Sequence, residues 1–337
     1  MPWNLKEIGP DWDEGWDELA GQTPESGFMQ SSAWAAFKRA EGYVTPRWGL
    51  FEEGALRGGA SLLYYPAQGN EGFLICPEGP LLPWEDTARA RAGLRSLLAA
   101  AQDWASDNGG LGLRIEPRLP PPRPSLLRNG TRAPVDLNPV HSLMLDLTLS
   151  DEELLARMHP KGRYNLGLSQ RHGVQVTRSE SMQDVPVFFA LFQETSERRD
   201  FFAEPYGFFL NLAAVLFPAR QAELFLASWE GETLAALLIV YFGRRATYLY
   251  GGSSARHRNV MPTYALHWAA LRAARERGCV EYDLYGYDPF GQPDHLYAGF
   301  SRFKQQFGGS RKDTIGAWDF LFYDRLAETL AKRLAHA

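Results

Sequence analysis

The stretch 248–316 constrains the fold more than any other part of the chain. Its first strand pattern ends at a glycine pair, Gly251 and Gly252, and Pro262 then opens a helical pattern. Its second strand pattern, 279–285, also ends in a glycine and leads through a proline-broken loop to a short helix. Two strand ends and two helix starts therefore meet, and in α/β folds such meeting points bind ligands.

The charge pattern predicts one positive face on an acidic protein. The 337 residues carry a net charge of −5, yet the segments 154–179, 233–275 and 295–312 contain Lys or Arg and no acid. Such segments can gather into a surface for a polyanionic ligand. The alternative is that they are ordinary solvated helix faces.

Several classes of protein are disfavoured by what the sequence lacks. No apolar run approaches the length of a membrane span, and the N-terminus has neither the basic nor the apolar region of a signal peptide. We therefore expect a cytoplasmic protein. Cys76 and Cys279 lie in apolar strand-like runs and are expected to be buried free thiols. No CxxC, HExxH or clustered His motif points to a metal, so no cofactor is expected.

The order of helical and strand patterns indicates two copies of one α/β fold. Each half shows helices, an antiparallel meander, a further helix and a late strand. We predict a first domain of residues 1–147, closed by the strand 142–147, and a second domain of residues 148–319. The last stretch, 320–337, is predicted to be an amphipathic helix that packs back on the first domain.

Short segments in a fixed order carry a resemblance to a known family. They read QSSAWAAFK, LRIEP, KGRYNLGLSQRHGVQV, ETSERRD, YLYGGSSARHRNVMPTYALHW, GCVEYDLYGY and GFSRFKQQFGG, and together they span nearly the whole chain. In these segments the chain resembles the FemABX family, the peptidyltransferases that build the interpeptide bridges of peptidoglycan. Some members carry a long helical arm in the second domain, and this chain is similar to the smaller, arm-free type.

The resemblance implies a fold and a reaction. It implies an α/β (α+β) protein of two tandem GNAT-like domains facing a shared cleft, the first binding the precursor and the second binding aminoacyl-tRNA. It also implies transfer of a small amino acid (Ala, Gly or Ser) to the side-chain amine of the third stem-peptide residue. The acceptor would be UDP-MurNAc-pentapeptide or lipid II, so a peripheral contact with the membrane stays open. We expect a monomer, because two linked domains already bury each other's faces.

The implied reaction is an aminolysis that needs alignment, charge stabilisation and removal of a proton. By resemblance, Phe303 and Lys304 of the R-F-K motif lie near the reacting ester, and we assign Lys304 to charge stabilisation. Glu116 stands where the family usually has an aspartate, and it could accept the proton or orient the ammonium. The alternatives are an ordinary surface lysine and a carboxylate that caps a turn.

Precursor contacts are also carried over by resemblance. Lys38 and Arg199 correspond to phosphate contacts, with Arg198 as an alternative register for the second. Tyr206, Tyr248 and Tyr250 are candidates for binding the peptide stem, although strand tyrosines are commonly packing residues. Tyr248 and Tyr250 are predicted to share one strand face.

The loop 253–262 bears on the cofactor. An acyl-CoA enzyme has a glycine-rich loop here that grips pyrophosphate, whereas this loop reads SSARHRNVMP. The sequence therefore disfavours the main alternative, an acyl-CoA-dependent N-acyltransferase acting on a small amine. A third alternative, a binding protein with an inactive site, is disfavoured by the intact R-F-K motif. Candidate contacts to tRNA phosphates are Arg256, Arg258, Lys161, Arg163, Arg311 and Lys312.

Overall fold

A computed structural model describes residues 3–66, 71–199, 201–292, 294–295 and 297–322. The chain divides into two compact units: the first takes the chain up to Val140 and again from Asp313, and the second takes His141–Lys312. The strands are β1 (Asn4–Glu7), β2 (Arg47–Glu52), β3 (Ala55–Ser61), β4 (Leu63–Pro66), β5 (Gly72–Pro77), β6 (Gly110–Glu116), β7 (Thr131–Arg132), β8 (His141–Asp146), β9 (Gln175–Ser179), β10 (Ala222–Trp229), β11 (Glu232–Phe242), β12 (Arg245–Ser253), β13 (Glu281–Gly286), β14 (Ser310–Asp313) and β15 (Trp318–Leu321).

The helices alternate with these strands, so the predicted mixed α/β class is confirmed. They are α1 (Asp13–Gln22), α2 (Ser32–Ala40), α3 (Thr87–Asn108), α4 (Asp151–Arg157), α5 (Pro160–Arg171), α6 (Val185–Arg199), α7 (Tyr206–Leu216), α8 (Pro262–Glu276) and α9 (Ala298–Lys304). No helix within the described residues is both long and apolar enough to cross a bilayer.

The first unit contains two sheets. One has the order β1-β2-β3 and the other the order β4-β5-β6-β15-β7. Helix α2 begins where Ser31 accepts a hydrogen bond from the backbone amide of Trp34, which makes Ser31 the N-cap. Helix α3 connects the parallel strands β5 and β6 and packs its apolar stripe, including Leu94 and Leu97, into the core.

The second unit is built on one sheet with the order β14-β8-β13-β12-β11-β10-β9. Helix α8 connects β12 to β13, which run parallel. Its buried residues Leu266, Ala270 and Leu271 pack into the same core as Leu237 and Ile239 of β11. Both units therefore contain a strand–helix–strand crossover between parallel neighbours.

The boundary between the units differs from the prediction. Strand β8 lies in the second unit, because it pairs antiparallel with β13, for example Asp146 with Glu281. An apolar strand pattern does not say which sheet will supply its hydrogen-bond partners. Phe320 and Leu321 lie in β15 beside β6, so the predicted helix does not begin at residue 320. The rest of that predicted helix, 323–337, lies outside the described residues.

The two pairs of parallel strands differ in the length over which the strands are paired. Strands β5 and β6 are paired from Gly72 with Gly110 to Pro77 with Glu116. Strands β12 and β13 are paired over residues 245–247 with 281–283, and the described residues show no pairing of these two strands beyond that. The second unit therefore has a gap between the carboxyl ends of two parallel strands.

Candidate active site

A β-bulge in β12 decides which side chains face the gap. Tyr250 pairs with Leu238 and Tyr248 pairs with Ile239, so Leu249 is an extra residue between them. Because neighbouring residues of β11 point to opposite faces, Tyr248 and Tyr250 also point to opposite faces. The prediction that the two tyrosines share one strand face is therefore wrong.

The packing of the two tyrosines agrees with this assignment. The ring of Tyr248 lies edge-on to His267 of α8, with 4.6 Å between ring centroids. The ring of Tyr250 packs against Phe209 at 5.1 Å and Phe192 at 5.6 Å, on the side of α6 and α7. Tyr248 lines the cavity described next, whereas Tyr250 does not.

A cavity of about 530 Å³ lies at the end of β12 and the start of α8. Its walls also include residues of α5, α6 and α9. Four cationic side chains line it, and no Asp or Glu is found among the lining residues in the described part of the unit. The four are Lys161, Arg198, Arg199 and Arg258.

The structure separates the roles of the two neighbouring arginines of α6. The Arg198 guanidinium donates to the carbonyl of Ser253 at 2.8 Å and to Oγ1 of Thr195 at 3.2 Å. Arg198 thus fixes the end of β12 to α6. Arg199 is exposed and faces the cavity, so it is the better candidate for binding an anionic ligand.

Only two of the six predicted tRNA contacts line the cavity, Lys161 and Arg258. The other four lie elsewhere on the second unit. Arg256 pairs with Glu232 at 2.6 Å, and Arg163 donates to carbonyls at the end of α4, including that of Leu155 at 3.4 Å. Arg311 lies 4.9 Å above the ring of Phe290, and Lys312 is in β14.

Lys304 is buried beside the gap, with 6% of its surface exposed. Its Nζ donates to the carbonyl of Gly286 at 2.6 Å and lies 5.6 Å and 5.7 Å from the ring centroids of Tyr248 and Tyr297. Burial lowers the pKa of Lys304 to about 7, although the charge of Asp283 opposes the shift. Lys304 itself is not a lining residue, but Phe303 and Tyr248, which adjoin it, are.

The first three backbone amides of the segment 253–262 are already hydrogen-bonded within the unit. The amide of Ser253 donates to Thr195 Oγ1 at 2.8 Å, and that of Ala255 donates to a carboxylate oxygen of Glu194 at 2.6 Å. The amide of Ser254 donates to the carbonyl of Leu234 at 2.8 Å. These amides are therefore not free to bind a pyrophosphate, and the Glu194 carboxylate would repel one. This geometry disfavours an acyl-CoA site at this loop.

Gly252 permits the close approach of α6 to this loop. A Cβ added at Gly252 would lie 2.3 Å from the carbonyl oxygen of Leu191. Only glycine fits without moving the helix, and the hydrogen bonds that Glu194 and Thr195 accept from the amides of Ala255 and Ser253 depend on that approach.

Glu116, in the first unit, is buried and holds a neighbouring loop. Its carboxylate accepts hydrogen bonds from the amide of Leu137 at 2.7 Å, the amide of Asn138 at 3.1 Å and Nδ2 of Asn138 at 2.6 Å. Desolvation raises the pKa of Glu116, and these hydrogen bonds oppose the shift. The contacts support an anchoring role, and the role in proton transfer stays a prediction.

Lys38 lies on α2 among aromatic rings. Its Nζ is 4.8 Å from the ring centroid of Phe37, 5.3 Å from that of Tyr43 and 5.6 Å from that of Trp34.

Tyr206 begins α7 in the second unit. Its ring packs against that of Phe189, with 5.1 Å between the ring centroids, and it does not line the cavity.

His267 is a cavity residue that the sequence analysis did not single out. It lies on α8 between Tyr264 and Leu271, in the apolar stripe of that helix, and has 2% of its surface exposed. The sequence feature that could have indicated His267 is a histidine at core spacing on the helix that follows the loop 253–262.

Comparison with known proteins agrees with this architecture. The model of the FemAB family matches residues 130–231 and 222–327, which together cover more than half of the chain. The chain belongs to the FemAB family. It is 21% identical to the lipid II:glycine glycyltransferase of Staphylococcus saprophyticus, over 92% of this chain and 91% of that protein. It is 22% identical to the protein of the same name from Staphylococcus haemolyticus, over 95% of each chain.

Two solved structures share the fold of this chain. The crystal structure of FemX superposes with a TM-score of 0.87 at 19% identity, covering 97% of this chain and 99% of that chain. A tandem GNAT protein from the clavulanic acid biosynthesis pathway superposes with a TM-score of 0.57 at 13% identity, covering 95% and 98%. The expected tandem GNAT-like fold is thereby confirmed. Among the described residues the longest helices of the second unit, α6 and α8, have 15 residues each.

Proposed function

We propose that this chain transfers glycine, alanine or serine from aminoacyl-tRNA to the side-chain amine of the third stem-peptide residue of a peptidoglycan precursor. The observation that carries the proposal is the acid-free cavity at the parted ends of β12 and β13, lined by Lys161, Arg199 and Arg258. Lys161 and Arg258 suit the phosphates of a tRNA 3′ end, and Arg199 suits a phosphate of the precursor. The names of the staphylococcal relatives, lipid II:glycine glycyltransferases, support lipid II as acceptor and aminoacyl transfer as the reaction class.

The reaction asks little covalent chemistry of the protein. The amine nitrogen attacks the ester carbonyl carbon, the bond from that carbon to the ribose oxygen breaks, and the proton lost by the amine ends on the ribose oxygen. The protein must align the two reactants and stabilise the negative charge that develops on the carbonyl oxygen. We assign the charge stabilisation to the ammonium of Lys304, next to Phe303 and Tyr248 of the cavity wall.

The first unit is proposed to bind the precursor. Lys38 is its candidate phosphate contact, because this residue of α2 is half-buried and its Nζ is held among aromatic rings. In the second unit Arg199 is the candidate for a further phosphate. Neither assignment depends on the identity of the transferred amino acid.

The test is transfer of radiolabel from a mixed pool of charged tRNAs, with UDP-MurNAc-pentapeptide and lipid II as parallel acceptors and acetyl-CoA as a competing donor. We expect label on an acceptor, lost after RNase treatment and in Lys304→Met. Lys6→Met, which removes an exposed lysine of β1, is the matched control and should retain transfer. Acetylation of an amine without any transfer from tRNA would overturn the proposal.

A further inference from the structure

A buried hydrogen bond joins the helix and the strand behind the cavity. Nδ1 of His267, on α8, lies 3.2 Å from the hydroxyl oxygen of Tyr282, on β13. The exposed surface of His267 is 2% and that of Tyr282 is 0%. Within the described residues this is the hydrogen bond that each of the two side chains makes.

The pair fixes the tautomer of the imidazole. A tyrosine hydroxyl has one hydrogen, and in a buried site that hydrogen needs an acceptor. The lone pair of Nδ1 supplies it, whereas a hydrogen on Nδ1 would leave the buried hydroxyl hydrogen unpaired. Tyr282 therefore donates to Nδ1, and Nε2 of His267 carries the ring hydrogen.

The surroundings keep this imidazole uncharged. His267 is enclosed by the rings of Tyr248, Phe303 and Phe307, at centroid distances of 4.6, 5.4 and 4.9 Å. Burial and the nearby charge of Lys304 lower the pKa of His267 to about 3. No carboxylate is in contact with the ring among the described residues, so nothing there competes for the Nε2 hydrogen.

We propose that His267 is a second charge-stabilising residue of the transfer reaction, whose Nε2–H donates a hydrogen bond to the carbonyl oxygen of the aminoacyl ester. His267 lines the cavity, and its ring contacts Tyr248, the same side chain whose ring Lys304 contacts. The two donors thus both adjoin one tyrosine at the wall of the cavity. Tyr282 acts through His267 and is a positioning residue.

This inference rests on the proposed function, and the step is a hydrogen bond without proton transfer. As the amine adds to the carbonyl carbon, the electron pair of the carbonyl bond moves to the oxygen. The hydrogen bond that Nε2–H donates to this oxygen then becomes stronger. When the bond to the ribose oxygen breaks, the pair returns and the hydrogen is still on Nε2. A neutral donor avoids placing a second full charge beside Lys304.

Two variants of the same residue test the position of the donor. The amide nitrogen of His267→Gln reaches the place of Nε2, whereas that of His267→Asn reaches only the place of Nδ1. Removing one such donor lowers kcat by roughly 10²- to 10³-fold in other enzymes. We expect a loss of that size in His267→Asn with KM for the charged tRNA unchanged, and a loss of less than about tenfold in His267→Gln.

A second measurement on the wild-type protein does not depend on activity. The ¹⁵N chemical shifts of the His267 ring, assigned by comparison with His267→Asn, report which nitrogen carries the hydrogen. We expect hydrogen on Nε2 from pH 6 to pH 8, and a mixture of tautomers in Tyr282→Phe. If wild type transfers nothing from tRNA, the proposed function fails. If wild type is active but the Gln and Asn variants lose equal activity, or if Nδ1 carries the hydrogen, the role of His267 is refuted.

Discussion

Replacing Lys304 by methionine should stabilise the protein at neutral pH while it abolishes transfer. Burial lowers the pKa of this lysine from its ordinary 10.5 to about 7 in the folded protein. At pH 7 the unfolded chain therefore holds nearly a full proton on the lysine, and the folded chain holds half of one. Proton linkage makes this difference cost about 4 kcal/mol of folding free energy at pH 7.

The sign of the pH dependence follows from the same difference. Between pH 7 and pH 10 the unfolded state binds more protons at Lys304 than the folded state, so the free energy of unfolding of wild type rises with pH. The cost falls to about 2 kcal/mol at pH 9. The advantage of Lys304→Met over wild type should therefore shrink by about 2 kcal/mol between pH 7 and pH 9.

The hydrogen bond lost in Lys304→Met changes its stability relative to wild type by the same amount at every pH. It therefore does not alter the pH dependence of that difference. Without Nζ, the carbonyl of Gly286 loses a donor, which costs about 1–3 kcal/mol at every pH. Urea unfolding followed by circular dichroism at pH 7, 8 and 9 measures both quantities, and Lys6→Met serves as the exposed control. A difference between Lys304→Met and wild type that is the same at pH 7 and pH 9 would refute a buried lysine of depressed pKa.

Three further changes test other parts of the structure. Arg258→Gln should weaken tRNA binding and lower the slope of log affinity against log salt by about 0.7. Arg163→Gln is the control and should leave both quantities unchanged, because the Arg163 guanidinium binds carbonyls of α4. Equal effects of the two variants in a filter-binding assay would contradict the assignment. Gly252→Ala should lower the free energy of unfolding by about 1–3 kcal/mol, because its Cβ would meet the carbonyl of Leu191 at 2.3 Å; an unchanged midpoint in urea would show that α6 gives way freely. Glu116→Gln should cost about 1–3 kcal/mol of stability and change kcat less than threefold, and a hundredfold loss of kcat in a stable variant would instead support proton transfer by this carboxylate.

Local sequence patterns predicted most elements, because capping residues and apolar periodicity act over a few residues. The glycine pair near the end of β12 and Pro262 at the start of α8 are examples. Sheet membership was beyond such patterns. The strand His141–Asp146 has the same apolar character in either unit, and only its long-range pairing with β13 places it in the second.

The lining of the cavity was predicted only in part, for a similar reason. Lys161, Arg199 and Arg258 lie at one cavity, and their roles in binding stay predictions. Arg256 and Arg163 are engaged in local contacts that charge counting does not reveal. His267 was missed because histidine spaced like a core residue is usually only a core residue. Its significance comes from Tyr282, which approaches from a strand 15 residues further along the chain.

The extra residue Leu249 gives β12 two registers against β11, one on each side of the bulge. Removing Leu249 itself would let β12 pair with β11 in unbroken alternation, and Tyr248 and Tyr250 would keep their partners Ile239 and Leu238 and their opposite faces. The tyrosine beside Lys304 would stay at the cavity, and Gly252 would still meet Leu191. An engineered variant with one residue fewer between Thr247 and Ser253 should therefore lose Leu249 rather than a residue on either side of it.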